Sequence, residues 1–184
     1  MIDSKQIKLN RIIDGCKRND RKTQEELYNL YFGLMMSIGM RYCGNWDDAM
    51  EVVNTGFLKI YTKIDSYQGK GSFEGWMRRT MVNTALDFIK QNKHHESSID
   101  DVNMYNESLY IDNDAVFELD KEEILKIVQQ LPTMSRAVFM LNVLEGYKHK
   151  EISEKLGISE GTSHWHLQNA RKLLKDKIEH FLNT

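Results

Sequence analysis

The sequence predicts an all-α fold in two small helical modules, and three observations carry that expectation. Apolar residues recur at steps of three and four through successive long stretches, the 184-residue chain has one proline, Pro132, and the paired turn signals that punctuate β-sheets are scarce. With 41% apolar residues the chain can bury one ordinary core or two small ones. The formal net charge of -2 hides an asymmetry. Residues 1–95 carry 15 Lys and Arg against 11 Asp and Glu, residues 96–123 carry 1 against 10, and residues 124–184 carry 9 against 6. An acidic middle joins two mildly basic ends, so the overall charge says little about partners.

The opening "MIDSKQIKLNR" lacks the apolar stretch of a signal peptide, and no apolar run reaches the length of a membrane span. A cytoplasmic chain without membrane insertion is expected. In "QEELYNLYFGLMMSIGMRYC" the positions Leu27, Leu30, Tyr31, Leu34, Met35, Ile38 and Tyr42 make one wide apolar face. Asp47 is the expected cap of the next helix, where Ala49, Val52, Val53, Phe57, Leu58 and Tyr61 repeat the spacing. "SYQGKGS" breaks the pattern, and "FEGWMRRTMVNTALDFIKQNK" forms a third helix that buries Trp76, Met81, Leu86 and Ile89. Cys16 and Cys43 have no CxxC spacing and no ligand cluster nearby, which favours reduced thiols, with Cys43 a small core hydrophobe.

From His94 to Phe117 the chain is rich in Asp, Asn and Ser without a sustained period, as in a linker. The expected division is a first domain at 1–93, an acidic flexible linker at 94–117 and a second domain at 118–184. Helical spacing resumes at Leu119, Ile124, Ile127, Val128 and Leu131, stops at Pro132, and restarts through Ala137, Val138, Leu141 and Leu144 to a break at Gly146. "EISEKLGISEGTSHWHLQNARKLLK" then reads as a helix-turn-helix: Ile152, Leu156 and Ile158 at the seam, Ser153 as the small contact, Gly157 at the reversal and Ser159 as the cap.

On the second of these helices Leu167, Ala170 and Leu174 step along the inner face, which turns His164, Trp165, Gln168, Arg171 and Lys172 outward. Gln pairs with adenine, His donates to guanine, and Arg and Lys suit guanine or phosphate, so this face suits a DNA groove. Packing of Trp165 on a neighbouring helix is the bland alternative. A metal site is not expected, because His164 and His166 point to different sides and no third ligand is near.

"DDAMEVVNTGFLKIYTKI", then "GSFEGWMRRTMVNTALDFIKQNK", an acidic linker and "LPTMSRAVFMLNVLEGYKHKEISEKLGISEGTSHWHLQNARKLLK" together resemble a sigma factor of bacterial RNA polymerase, the extracytoplasmic-function (ECF) type of the sigma-70 family. The resemblance implies a sigma-2-like helical bundle and a sigma-4-like helix-turn-helix. It implies that the first domain binds core polymerase, through its β and β′ subunits, and opens the −10 element, while the second reads the −35 element. It assigns Asp48, Glu51, Asn54 and Thr55 to the polymerase surface, with Asn54-Thr55 in place of the usual Gln-Glu pair. It assigns Arg78, Arg79, Asn83, Asp87 and Lys90 to the −10 element, with "DSYQGKGS" as the loop that catches an extruded base. Trp76 is expected mostly as packing, and Val82 stands where the family often has Arg. For the −35 element the resemblance implies Thr162, His164, Trp165, Gln168, Asn169, Arg171 and Lys172. Ser163 replaces a buried Val and should loosen the seam, and His164-Trp165-His166 replace a basic triplet and carry the specificity.

Two rival classes of function stand beside this one. A free-standing helix-turn-helix regulator would lack the "FEGWMRRTMVNTALDFIK" pattern, and an enzyme built on His94-His95-Glu96 would lack a helix or pocket to hold those groups. No catalytic residue, cofactor or metal is expected. Promoter DNA and core polymerase are the implied partners, and charge-poor faces leave room for an anti-sigma inhibitor.

Overall fold

The structure, a computed structural model, describes residues 4–92 and 121–182. Among the described residues no strand forms, and the helices are α1 (Ser4–Lys17), α2 (Arg21–Tyr42), α3 (Trp46–Lys63), α4 (Phe73–Asn92), α5 (Lys121–Gln129), α6 (Thr133–Phe139), α7 (His149–Leu156) and α8 (Glu160–Leu182). A 3₁₀ turn, Ile64–Ser66, follows α3, and a π-turn, Met140–Leu144, extends α6. By backbone proximity the chain makes two units, one built on 1–40 and 46–85 and the other including 41–45 and the residues from 86 onward. The acidic segment 94–117, His94-His95-Glu96 and Leu119 lie outside the described residues.

In the first unit the three- and four-residue spacing becomes a core of Leu27, Met35, Val52, Val53, Phe57, Ile60, Met77, Met81 and Ala85, all buried. Helix α1 was not expected, yet Ile12, Ile13 and Cys16 bury its inner side. Tyr28 of α2 packs on Phe57 of α3 at a ring separation of 4.6 Å, and the Tyr61 hydroxyl donates to the Gln24 carbonyl at 2.8 Å. Gly56 explains how closely α3 meets α4, since a Cβ there would lie 2.5 Å from Met81 Cε. Three expectations need correction. Helix α3 opens at Trp46, so Asp47 lies inside its first turn beside Asp48, where carboxylates favour the positive end of the helix dipole. Leu30 and Leu58 share the apolar spacing but stand 55% and 62% exposed. Leu144, placed with the apolar face of α6, is also exposed, because the Glu145 N–H reaches back to the Met140 carbonyl and the wider turn swings the chain outward.

In the second unit α5, α6 and α7 pack against α8. Their seam buries Ile127, Val128, Leu131, Met134, Ala137, Val138, Leu141, Ile152, Leu156, Leu167, Ala170 and Leu174. Gly157 adopts a left-handed conformation (φ 66°), and the Ile158 N–H donates to the Ser153 carbonyl, which closes α7 as a Schellman turn. Ser159 caps α8 as expected: its hydroxyl accepts the Thr162 N–H at 3.0 Å. The Glu151 carboxylate likewise accepts the Lys148 N–H at 2.9 Å at the start of α7. Arg136, almost fully buried, is held by backbone carbonyls, those of Gln129 and Leu131 among them.

Candidate nucleic-acid interface

Helix α8 lifts its outward residues from a floor of Leu167, Ala170 and Leu174. Thr162, His164, Gln168 and Lys172 are exposed, while Trp165, Asn169 and Arg171 are half-buried. The exposed set falls on the side expected of a recognition helix, near the capped N-terminus where such helices meet base edges. Asn169 is partly committed to packing, because its amide donates to Ser135 Oγ on α6 at 3.2 Å.

His166 corrects the reading of the triplet. It is 5% exposed, with Nδ1 3.0 Å from Ser135 Oγ, so it faces the core rather than the outer side of α8. Two positions beyond His164, a helix of 3.6 residues per turn carries it to the other side. Trp165 lies between the two environments, half-buried with its ring edge-to-face on His166 at 4.9 Å. Ser163 stands within the seam. It is fully buried, and its hydroxyl lies 2.9 Å from His149 Nδ1 on α7, so a polar contact fills the place of a lost methyl.

The His149 ring in turn stacks on His164, with centroids 3.6 Å apart and planes 26° from parallel. Burial, then the neighbouring His164, pushes His149 below its usual value; Arg171 acts in the same direction and Glu160 against it. The charged form of His149 is therefore disfavoured. Sequence spacing could not have indicated this residue, since it lies fifteen positions from its partner and only the tight turn joins them. Among the described residues no group of three or more His, Cys, Asp or Glu stands where it could hold a metal.

On α4, Arg79, Asn83, Asp87 and Lys90 follow one another at steps of four, four and three and form a single stripe. Arg79, Asn83 and Lys90 are exposed and Asp87 is half-buried, while Leu86 and Ile89 face inward. Arg78 donates to Glu74 at 3.0 Å, and Lys90 lies 3.4 Å from Asp87. Such exposed pairs within one helix contribute only about 0.2–0.5 kcal/mol, so both cations can turn to phosphate at little cost. Val82, in the place of a common Arg, is buried.

The loop before α4 is ordered by aromatic rings. Tyr67 packs edge-on to Phe73 at 5.1 Å, Phe73 stacks on the half-buried Trp76 at 5.6 Å, and the Tyr67 hydroxyl donates to the Gly71 carbonyl at 2.9 Å. Gly69 and Gly71 supply the positive φ values of this bend. Trp76 thus packs, as expected. On α3, Glu51, Asn54, Thr55 and Leu58 are exposed along one side with the half-buried Asp48, giving a polar face with one large apolar side chain.

Comparison with known proteins fits this arrangement. The family model "Sigma-70 region 2" matches residues 27–95 and "Sigma-70, region 4" matches residues 121–174, together well over half of the chain. A region 2 bundle followed by a region 4 helix-turn-helix defines a sigma factor, and the chain belongs to the sigma-70 family. Within that family it is of the extracytoplasmic-function type. It is 22% identical over 178 residues to the ECF RNA polymerase sigma-E factor of Haemophilus influenzae, covering 91% of this chain and 94% of that protein. It is 24% identical over 180 residues to the protein of the same name from Escherichia coli, covering 91% and 93%. Among solved structures it is similar to the sigma factor RpoE of Bartonella quintana, crystallised with the anti-sigma factor NepR, at 16% identity and a TM-score of 0.49 over 84% of this chain and 96% of that one. No helix among the described residues is long and apolar enough to cross a membrane.

Proposed function

We propose that this chain is the promoter-recognition subunit of an RNA polymerase holoenzyme, with binding and reading divided between a first domain at 1–93 and a second at 118–184, joined by a linker at 94–117. One observation carries the reading: regions 2 and 4 occur in that order on one chain, and sigma-E factors match it over nearly their full length. The α3 face with Asp48, Glu51, Asn54, Thr55 and Leu58 docks on core polymerase. Short polar groups around one apolar side chain suit such a surface, because few charges need to be buried unpaired. Helix α4 holds the −10 strand through Arg78, Arg79 and Lys90 and reads it through Asn83 and Asp87, with the Tyr67–Phe73 loop beside it. Helix α8 enters the −35 major groove, where Gln168 and His164 meet base edges and Arg171 and Lys172 meet phosphate.

The chain itself carries out no catalytic step. Bond formation belongs to the polymerase, and the sigma factor acts in the cytoplasm where polymerase and DNA meet. An anti-sigma protein that covers both units would regulate it by occlusion. Run-off transcription from a genomic fragment library, with purified core polymerase and this chain, tests the reading. The expected result is a discrete transcript set sharing one −35 and one −10 sequence. Absence of initiation, together with binding to palindromic DNA without polymerase, would overturn it.

A further inference from the structure

Three side chains on two helices form a connected series at the edge of the α8 face. Ser163 is fully buried; its hydroxyl holds Nδ1 of the half-buried His149 at 2.9 Å; and the His149 ring lies against that of the exposed His164 at 3.6 Å. From this geometry we propose that His149, on the first helix of the helix-turn-helix, is a positioning residue for base reading: held by Ser163, it fixes the ring plane of His164 for one base pair of the −35 element. This rests on the reading of α8 as the −35 helix.

The physical need is clear from the ring itself. An exposed imidazole turns freely through a broad range about its terminal torsion, whereas a hydrogen bond to a base edge requires its N–H or lone pair to lie in one direction. A face-to-face neighbour removes that freedom before DNA arrives, so the cost of ordering is met in the free protein. The neighbour must itself be fixed, and the Ser163 bond does this in either tautomer of His149. Burial and the neighbouring His164 both disfavour a charge on His149, which suits a ring stacked on another imidazole. Shared metal binding does not account for the pair. Imidazole lone pairs lie in the ring planes, and planes stacked at 3.6 Å cannot converge on one ion.

The test measures base preference at every −35 position with holoenzyme reconstituted from core polymerase and full-length variants. His164→Ala should flatten one position, where a good contact discriminates by roughly tenfold. His149→Ala should flatten the same position to about threefold or less, leave the other −35 positions and the −10 element unchanged, and add nothing in a His164→Ala background. His149→Phe keeps a stacking face and should retain most of the preference. Ser163→Ala should lose part of it, and decides the matter if His149→Ala does not fold. Equal flattening at all −35 positions, additive effects with His164→Ala, or no effect of His149→Ala and Ser163→Ala would overturn the proposal. If His164→Ala changes no position while Gln168→Ala does, α8 still reads the −35 element and the role of the histidine pair falls. If no α8 variant changes any −35 position, the reading of α8 falls with it.

Discussion

Replacing Ser135 by Ala tests whether His166 belongs to the core. Ser135 and His166 are 1% and 5% exposed, and their side chains meet at 3.0 Å, with Asn169 donating to the same hydroxyl at 3.2 Å. Deletion of the hydroxyl leaves the buried Nδ1 of His166 without this partner, whereas the half-buried Asn169 amide can reach water. A buried polar group left unsatisfied costs about 1–3 kcal/mol, and the second lost bond adds little when water replaces it. Ser135→Ala should therefore destabilise the second unit by about 1–3 kcal/mol. Ser135→Ala with His166→Leu removes both polar partners at once. Its cost should fall short of the sum of the single changes by about 1 kcal/mol, as for residues in direct contact. Hydrogen exchange at α6 and α8 amides of the full-length chain measures these values locally, without assuming that both units unfold together. Stability within about 0.5 kcal/mol of wild type for Ser135→Ala, together with a changed −35 preference for His166→Leu, would show the ring turned outward.

Gly56→Ala gains about 1 kcal/mol of helix propensity but drives a methyl into the fully buried Met81, and overpacking of that kind costs about 1–3 kcal/mol. The expected net is a lower melting temperature, and a raised one would show that Met81 moves freely. Leu58→Asp should weaken core-polymerase binding at least tenfold while leaving thermal stability within about 0.5 kcal/mol, because the side chain is mostly exposed. Unchanged affinity in a competition assay would move the docking face elsewhere. Asn83→Ala and Asp87→Ala should keep fold and polymerase binding but weaken permanganate reactivity of −10 thymines. Full reactivity in both variants would remove the −10 assignment.

Much of this molecule was legible because a helix announces its buried side by spacing. Val52, Val53, Phe57 and Ile60 on α3, and Leu167, Ala170 and Leu174 on α8, lie where three-and-four spacing puts them. The same spacing cannot separate a buried apolar position from an exposed one, and Leu30 and Leu58 carry the same signal as the core residues. Helix α1 carries its signal in Leu9, Ile12, Ile13 and Cys16, but the surrounding Lys, Asn and Arg dilute that apolar spacing. At the interface, the turn from Gly157 to Ser159 was legible from local chemistry alone. Side-chain partners were not. The bond from Ser135 to His166 spans 31 positions and the stack of His149 on His164 spans fifteen, and both depend on how helices meet. Trp165 is half-buried, with its ring edge-to-face on His166.

The central claim is that two separate surfaces of one chain read two promoter elements on behalf of polymerase. Its most direct test is a matrix of initiation rates, with every single-base-pair change across the −35 and −10 elements set against Gln168→Ala, Arg171→Ala, Asn83→Ala and Arg79→Ala holoenzymes. The account predicts that Gln168→Ala alters preference only within the −35 element and Asn83→Ala only within the −10 element. Arg171→Ala and Arg79→Ala should lower initiation on all sequences alike and reduce its dependence on salt, because phosphate contacts carry no base identity. An α8 variant that changes −10 preference, or an α4 variant that changes −35 preference, would contradict it.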